Sequence, residues 1–260
     1  MRRSYDEGVA VRTHALAVSV PGLRALRWST DELHAGMKET YAIARVETGR
    51  SSFWSGGRVW NSSPGSLQIQ QPGDVHRDVS RDGPSTFQII TFPPRAVESV
   101  TGKVRVHPQL AAGDERGAAF QRLHDAVHAG ADRLALEVAV AEAIQAFATV
   151  GDAKCDHTRP VRRAIELLRE QLAEPVTLDE LAAHAGLDKF HLCRAFRAQV
   201  GMPPHAYLTR LRIMRAKELL AAGVKPSVIA PQVGLYDQSQ LNRHFRRIVG
   251  TTPGQYARGV

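Results

Sequence analysis

The stretch LNRHFRRIVGTTP (Leu241–Pro253) repeats one that stands 49 residues earlier, LCRAFRAQVGMPP (Leu192–Pro204). Carried on to Tyr207 and Tyr256, the alignment has 16 positions and eight identities: Leu192/Leu241, Arg194/Arg243, Phe196/Phe245, Arg197/Arg246, Val200/Val249, Gly201/Gly250, Pro204/Pro253 and Tyr207/Tyr256. Leu, Phe and Val at i, i+4 and i+8 describe the buried stripe of a helix, and Gly describes its end. A shared core explains those residues. It does not explain two arginines held in register on the outer face.

Each copy reads as the second helix of a helix-turn-helix. In the first, Thr177 and Glu180 form a capping box that opens a helix with Leu178, Leu181 and Ala182 inward. Gly186 permits a tight turn, and the next helix starts near Asp188. In the second, Ser227 is the expected cap, Gly234 the turn, and the helix runs from about Gln238 to Val249. Gly186 and Gly234 lie 48 residues apart, so the second turn is one residue longer. Between the units, PHAYLTRLRIMRAKELLAAG predicts an amphipathic helix with Leu208, Leu211, Arg215 and Leu219 on one side, stopped by Gly223. Pro231 falls near the fourth position of a predicted helix, where it removes a backbone hydrogen bond at a cost of up to ~3 kcal/mol.

Charge follows the same division. Residues 1–150 carry 17 Lys and Arg against 16 Asp and Glu, and residues 151–260 carry 17 against 10, so +7 of the net +8 belongs to the helical half. A basic half joined to a near-neutral one suits a polyanionic partner for the basic half alone. The arginines held in register, Arg194 and Arg197 with Arg243 and Arg246, are then candidates to meet phosphates or guanine edges.

The front half has another period. From about Ala42 to Pro93 it reads as short strands: YAIARVETG alternates, SSFWSGGRVW holds a Gly56-Gly57 hairpin signal, GSLQIQQPGDVH turns at Pro72-Gly73, and TFQIITFPP closes on prolines. After residue 114 the spacing becomes helical, with Phe120, Leu123 and Val127 before Gly130. Leu136, Val140, Ile144 and Phe147 follow in a helix so apolar that it must bury against the barrel or a second copy. The expected architecture is α+β in two domains. A small antiparallel β-barrel (1–113) and a helical connector (114–150) lead through a linker (151–160) to an all-α double helix-turn-helix domain (161–260). Cys155 and Cys193 lack metal or disulfide spacing and fit a reducing cytoplasm. The N-terminus lacks the apolar core of a secretory signal, and no apolar run approaches the ~20 residues of a membrane span.

The segment LLAAGVKPSVIAPQVGLYDQSQLNRHFRRIVGTTPGQYARG resembles the C-terminal signature of AraC/XylS-type transcriptional regulators. The resemblance implies that the two helix-turn-helix units bind double-stranded DNA through the exposed faces of their second helices: Lys189, Phe190, Cys193, Arg194 and Arg197, then Gln238, Ser239, Asn242, Arg243 and Arg246. Of these, Arg194, Arg243, Gln238 and Asn242 suit base edges, Arg with guanine and Gln or Asn with adenine, and Lys189, Arg197 and Arg246 suit phosphates. The resemblance implies further that the protein activates transcription with RNA polymerase and acts in the cytoplasm. GSLQIQQPGDVH is similar to the second motif of the cupin barrel, which in such regulators holds a small-molecule sensor and often the homodimer interface. Tyr41, Arg45, Trp54, Trp60 and His76 are the candidate effector contacts, with Arg45 suited to an acidic effector. Catalytic cupins need a His-x-His pair, a Glu and a further His. Here His34, Glu39 and His76 leave that set incomplete, so no metal, cofactor or enzymatic activity is expected. The alternatives are a metal-dependent cupin enzyme with an accessory helical domain, and an effector-independent regulator whose barrel only dimerises.

Overall fold

The computed structural model describes residues 12–151 and 158–259. The chain forms two compact units, Met1–Cys155 and Asp156–Val260. Cys155 and positions 152–157 of the expected linker lie outside the described residues.

The first unit is built on strands β1 (Arg12–Leu16), β2 (Arg24–Thr30), β3 (Ala35–Met37), β4 (Tyr41–Thr48), β5 (Ser51–Ser55), β6 (Arg58–Ser62), β7 (Leu67–Gln70), β8 (Val75–Arg81), β9 (Ser85–Phe92) and β10 (Gln109–Leu110). They pair antiparallel in two sheets, β1-β2-β9-β4-β7-β10 and β3-β8-β5-β6. Strand structure therefore begins well before Ala42. The Gly-Gly hairpin is present: Ser55 pairs with Arg58, and Gly56 and Gly57 have φ of 62° and 91°. Two positive φ angles in a two-residue turn match the right-handed twist of the strands, and only glycine takes both without strain.

The prolines after β9 open a helix rather than only closing a strand. Helix α1 (Pro94–Thr101) has Pro93 at its cap and Pro94 at its first position, where a missing N–H costs nothing. A single 3-10 turn, Glu115–Gly117, is capped by Asp114 and leads into α2 (Ala118–His128). Asp132 then caps α3 (Arg133–Thr149) by accepting from the Ala135 N–H. Phe147 of α3 meets Tyr41, Phe92 and Phe120, with ring centres 5.1–5.4 Å apart. This cluster joins α2 and α3 to one face of the six-stranded sheet through Ile43, Leu67, Ile69 and Ile90. Leu136 and Phe147 are buried as their spacing predicts. Val140 and Ile144 are half-buried, and Ala139, Ala143 and Ala146 are the other buried positions of α3 in the same core cluster.

One polar group is sealed between α2 and the sheet. His124 Nδ1 lies 3.2 Å from Gln88 Oε1, which also accepts from Arg45 Nη2 at 2.9 Å; His124 Nε2 has no partner. Burial, aided by the charge of Arg45, lowers the His124 pKa from 6.5 to about 3. A histidine whose folded pKa is depressed contributes stability that is present above the unfolded pKa and is lost as pH falls from 6.5 towards 3. Urea midpoints of the first unit, read by fluorescence of Trp28, Trp54 and Trp60, should therefore fall on acidification from pH 7 to 5. The slope approaches about 1.4 kcal/mol per pH unit for one proton. His124→Gln should flatten it; an unchanged slope would refute the assignment.

The second unit comprises α4 (Arg159–Glu170), α5 (Leu178–Ala185), α6 (Lys189–Val200), α7 (Pro204–Ala221), α8 (Pro226–Gln232), α9 (Gln238–Val249) and α10 (Pro253–Arg258). The capping box at Thr177 is formed, and Gly186 and Gly234 both take the left-handed conformation, with φ of 71° and 72°. Helix α7 departs from the one-sided stripe predicted for it. Tyr207, Leu208, Leu211, Ile213, Ala216 and Leu220 are buried, Arg215 is exposed and paired to Glu218, and Leu219 is half-buried. The reason is that α7 serves both helix-turn-helix units. Tyr207 meets Phe196 of the first, while Ile213, Ala216 and Leu220 join Ile229, Leu241 and Phe245 of the second. A helix between two units shows no single polar face.

The second unit also corrects the expected cap. Helix α8 begins at Pro226, and Lys225, with no side-chain cap, stands where Ser227 was expected to act. Pro231 is therefore the sixth helical residue. It is exposed, and α8 ends one residue later, at Gln232. The proline shortens the helix without displacing Ile229 and Ala230 from the core.

Candidate nucleic-acid interface and barrel cavity

The two copies of the repeat adopt the same local structure. Phe196 and Tyr207 are edge-on at 5.7 Å and 71°, and Phe245 and Tyr256 at 5.5 Å and 68°. Gly201 and Gly250 end α6 and α9 with φ of 84° and 85°. Asp188 caps α6 by accepting from the N–H groups of Phe190 and His191, and Asp237 caps α9 by accepting from that of Gln240. These caps make another matched pair, 49 residues apart. Six of the eight identities thus serve packing or termination. Arg194/Arg243 and Arg197/Arg246 remain, and all four are exposed.

Of the other candidates, Lys189, Gln238 and Ser239 are exposed, and Phe190 is 77% exposed at the start of α6. Lys189 Nζ lies 3.3 Å from Asp179, a surface pair that water and salt screen. Asn242 is half-buried and lines an open groove with Gln238, Lys225, Ser227 and Thr252. Cys193 is placed differently from the expectation of an outward residue. It is half-buried and lines an apolar groove with Leu168, Leu181, Pro203 and Leu208. The spacing reading missed Tyr236, which is 93% exposed just ahead of α9. Its signal was present, an aromatic residue in a turn that no core position requires.

The barrel holds a cavity of about 250 Å³ lined by both sheets, among them Trp28, Lys38, Ala42, Ala44, His76, Asp78, Arg81 and Phe87. Of the five sequence candidates the structure brings only His76 to this cavity. Tyr41 and Arg45 lie on the opposite face of β4, Tyr41 against Phe147 and Arg45 bonded to Asp125 of α2 and Gln88 of β9. Trp60 donates to the Ser55 carbonyl and meets His107, and Trp54 lies under the Arg77 guanidinium. Side chains alternate across a strand, so the residues facing the lumen from β4 are Ala42 and Ala44, whose small size leaves the space.

A buried polar network lines the lumen. Asp78 accepts from Arg81 Nη2 at 2.5 Å and from the His34 N–H at 3.0 Å, and its other oxygen lies 3.1 Å from His76 Nε2. Burial alone would raise the Asp78 pKa. The hydrogen bonds from His76 and the His34 N–H, with the charge of Arg81, outweigh it and bring the group down to about 2. His76 stacks on Phe53 at 4.8 Å, and burial lowers its pKa despite Asp78. His34 lines the same cavity, but among the described residues no three His, Cys, Asp or Glu side chains converge as a metal ligand set. Asp78 sits two positions from His76 on β8, so strand alternation puts both on one face, and the structure turns that face to the lumen. Lys38 and Arg81 carry no such local signal.

Two family models match the chain: an AraC-like ligand binding domain over residues 21–144 and a helix-turn-helix domain over residues 181–259. The uncharacterized HTH-type transcriptional regulator YbfI of Bacillus subtilis is 31% identical over 215 residues, spanning 77% of this chain and 78% of that one. The HTH-type transcriptional activator AarP of Providencia stuartii is 36% identical over 86 residues, 33% of this chain and 64% of that one. The crystal structure of an apo ToxT variant from Vibrio cholerae has a similar fold, with a TM-score of 0.50 over 92% of this chain and 97% of that one at 12% identity. Among the described residues no helix is long and apolar enough to cross a membrane. With a ligand-binding-domain match on the barrel, a helix-turn-helix match on the helical unit and a relative aligned across most of both, the chain belongs to the AraC family of transcriptional regulators.

Proposed function

We propose that the protein is a sequence-specific DNA-binding regulator, acting in the cytoplasm as an activator, in which α6 and α9 enter successive major grooves. The observation that carries this reading is the duplication itself. Packing accounts for six of the repeated identities, and the arginines that packing does not need are exposed at matching positions of both helices. Helix α7 has 18 residues, about 27 Å at 1.5 Å per residue, against a groove repeat of about 34 Å. Arg194 and Arg243 are assigned to base edges with Gln238 and Asn242. Lys189, Arg197 and Arg246 are assigned to phosphates, and Phe190 and Ser239 to the flanks of the contact. Cys193, turned into an apolar groove, ranks last among the ten.

The barrel is read as the sensor. A bound small molecule shifts the first unit between arrangements that mask or release the DNA-binding unit, and the bound regulator recruits RNA polymerase. Leu134, Val138, Ala141, Gln145 and Ala148 form an exposed stripe on α3 at alternating spacings of four and three, which supports a homodimer through that helix. The donor set around His34 and His76 supports a regulator over a metal-dependent enzyme.

The test uses a fragment selected from the source genome and fluorescence anisotropy. Arg194→Ala and Arg243→Ala should each weaken binding to the selected site by about 1–3 kcal/mol and spare random DNA. Affinity should fall steeply with added salt as counterions are released. Equal losses on both DNAs would make the arginines phosphate contacts, and a flat salt response would end the DNA assignment.

A further inference from the structure

The charges inside the barrel do not cancel. Lys38, Arg81 and Asp78 line one cavity, two cations against one carboxylate, and His76 is uncharged at neutral pH because burial holds its pKa below 6.5. Asp78 is already occupied by Arg81, His76 and the His34 N–H. Arg81 is fixed from several sides. Its Nε donates to the Glu32 carbonyl at 3.0 Å, and its guanidinium lies 5.7 Å from the Trp28 ring centre and 5.2 Å from that of Phe87. Two nitrogens on these cavity-lining side chains, Arg81 Nη1 and His76 Nδ1, are buried without a hydrogen-bond partner. Lys38 is half-buried at the cavity; burial lowers its pKa, and Asp78 offsets only part of that.

A buried cation in excess is costly unless it is paired. The rest of the lining joins an apolar part, Trp28, Phe87, Ile89, Ala42 and Ala44, to uncharged polar groups of Thr40, Gln68, Gln70 and Thr91 and to His34. The volume of about 250 Å³ equals the space of about eight waters at about 30 Å³ each, which suits one small ring.

We propose that this cavity binds a small organic monoanion, its carboxylate at Lys38 and Arg81 and its apolar body against Trp28 and Phe87. A monoanion brings the site to neutrality, whereas a neutral sugar leaves the excess charge and an inorganic dianion reverses it. The inference deepens the sensor reading above and rests on it.

Calorimetric titration of the full chain with benzoate, benzamide and inorganic phosphate tests it. Benzoate should bind once per chain, and benzamide, of nearly the same shape without the charge, about 10-fold to 100-fold more weakly. Phosphate should bind more weakly than benzoate. Lys38→Met should bring benzoate down to the level of benzamide and leave benzamide unchanged. Its melting temperature should hold or rise, because a desolvated charge has been removed. The comparison of benzoate with benzamide on the unaltered chain stands even if that variant does not fold. Equal binding of the two, tighter binding of phosphate, or no binding of benzoate overturns the proposal. DNA affinity measured on the same samples separates the outcomes. Benzamide that binds equally and changes DNA affinity leaves the sensor reading in place and removes only the anion assignment. If benzoate and benzamide both bind while DNA affinity stays the same, the sensor reading fails instead.

Discussion

Gly234→Ala is expected to unfold the second helix-turn-helix, while the matched substitution Gly186→Ala costs only the strain of its backbone. Both glycines take a left-handed φ, 72° and 71°, so either alanine incurs about 1–2 kcal/mol of backbone strain. The surroundings separate them. A Cβ on Gly234 would stand 2.5 Å from the Ala173 oxygen, 2.8 Å from its carbonyl carbon and 2.9 Å from its Cα. On Gly186 the nearest neighbour is Arg163 Nη1, at 4.0 Å. Backbone cannot swing away as a side chain can, and this backbone is tied on both sides. Arg212 donates from Nε to the Leu172 carbonyl at 2.8 Å and from Nη2 to the Glu174 carbonyl at 2.9 Å. The overlap adds about 1–3 kcal/mol to the strain, for a total of about 2–5 kcal/mol. Far-UV circular dichroism in urea should show a large early loss of helix for Gly234→Ala, with the specific DNA complex lost. Tryptophan fluorescence should be unchanged, since all three tryptophans lie in the other unit. Equal midpoints for the two variants would sink the argument.

The other large effect belongs to Asp78. Its side chain and that of Arg81 are 4% and 3% exposed, and the carboxylate answers Arg81, His76 and the His34 N–H together. Removing one partner of a buried pair leaves the other charge uncompensated, at a cost of about 3–5 kcal/mol. Asp78→Ala should therefore lower the urea midpoint of the barrel by that amount, read by tryptophan fluorescence. The double variant Asp78→Ala/Arg81→Met should recover much of the loss by removing the orphaned cation. The same group sets an acid limit. Its folded pKa of about 2 lies below the ordinary 3.8, so its contribution is complete above pH 3.8 and is lost as pH falls through 2. A double variant no more stable than Asp78→Ala would show that the pair does not carry the barrel.

Comparing sequence with structure, local signals held where local chemistry decides. The Thr177 capping box, the Gly56-Gly57 turn and the Leu192, Phe196, Val200 stripe were all legible, because each is fixed by residues within one or two turns. The faces of β4 show where such reading stops. Alternation correctly separated Tyr41, Ile43 and Arg45 from Ala42 and Ala44, but chose the aromatic face for the cavity. Period two says which residues share a face; it does not say which face looks inward. Helices α2 and α3 decide that by covering the side of Tyr41 and Ile43. Helix α7 failed for a similar reason, since a single stripe was expected of an element that is covered by two units.

The sequence by itself determined the duplicated helix-turn-helix, the basic charge of the half that carries it, and the strand-rich character of the other half. These are written in spacing and composition, which act over a few residues. Only the tertiary structure decided that Lys38, Asp78 and Arg81 share a lumen, that Tyr41 and Arg45 do not, and that Gly234 lies against the backbone of Ala173. Such contacts join residues about 40 or 60 positions apart. Their energy depends on what encloses them, and no window along the chain contains that.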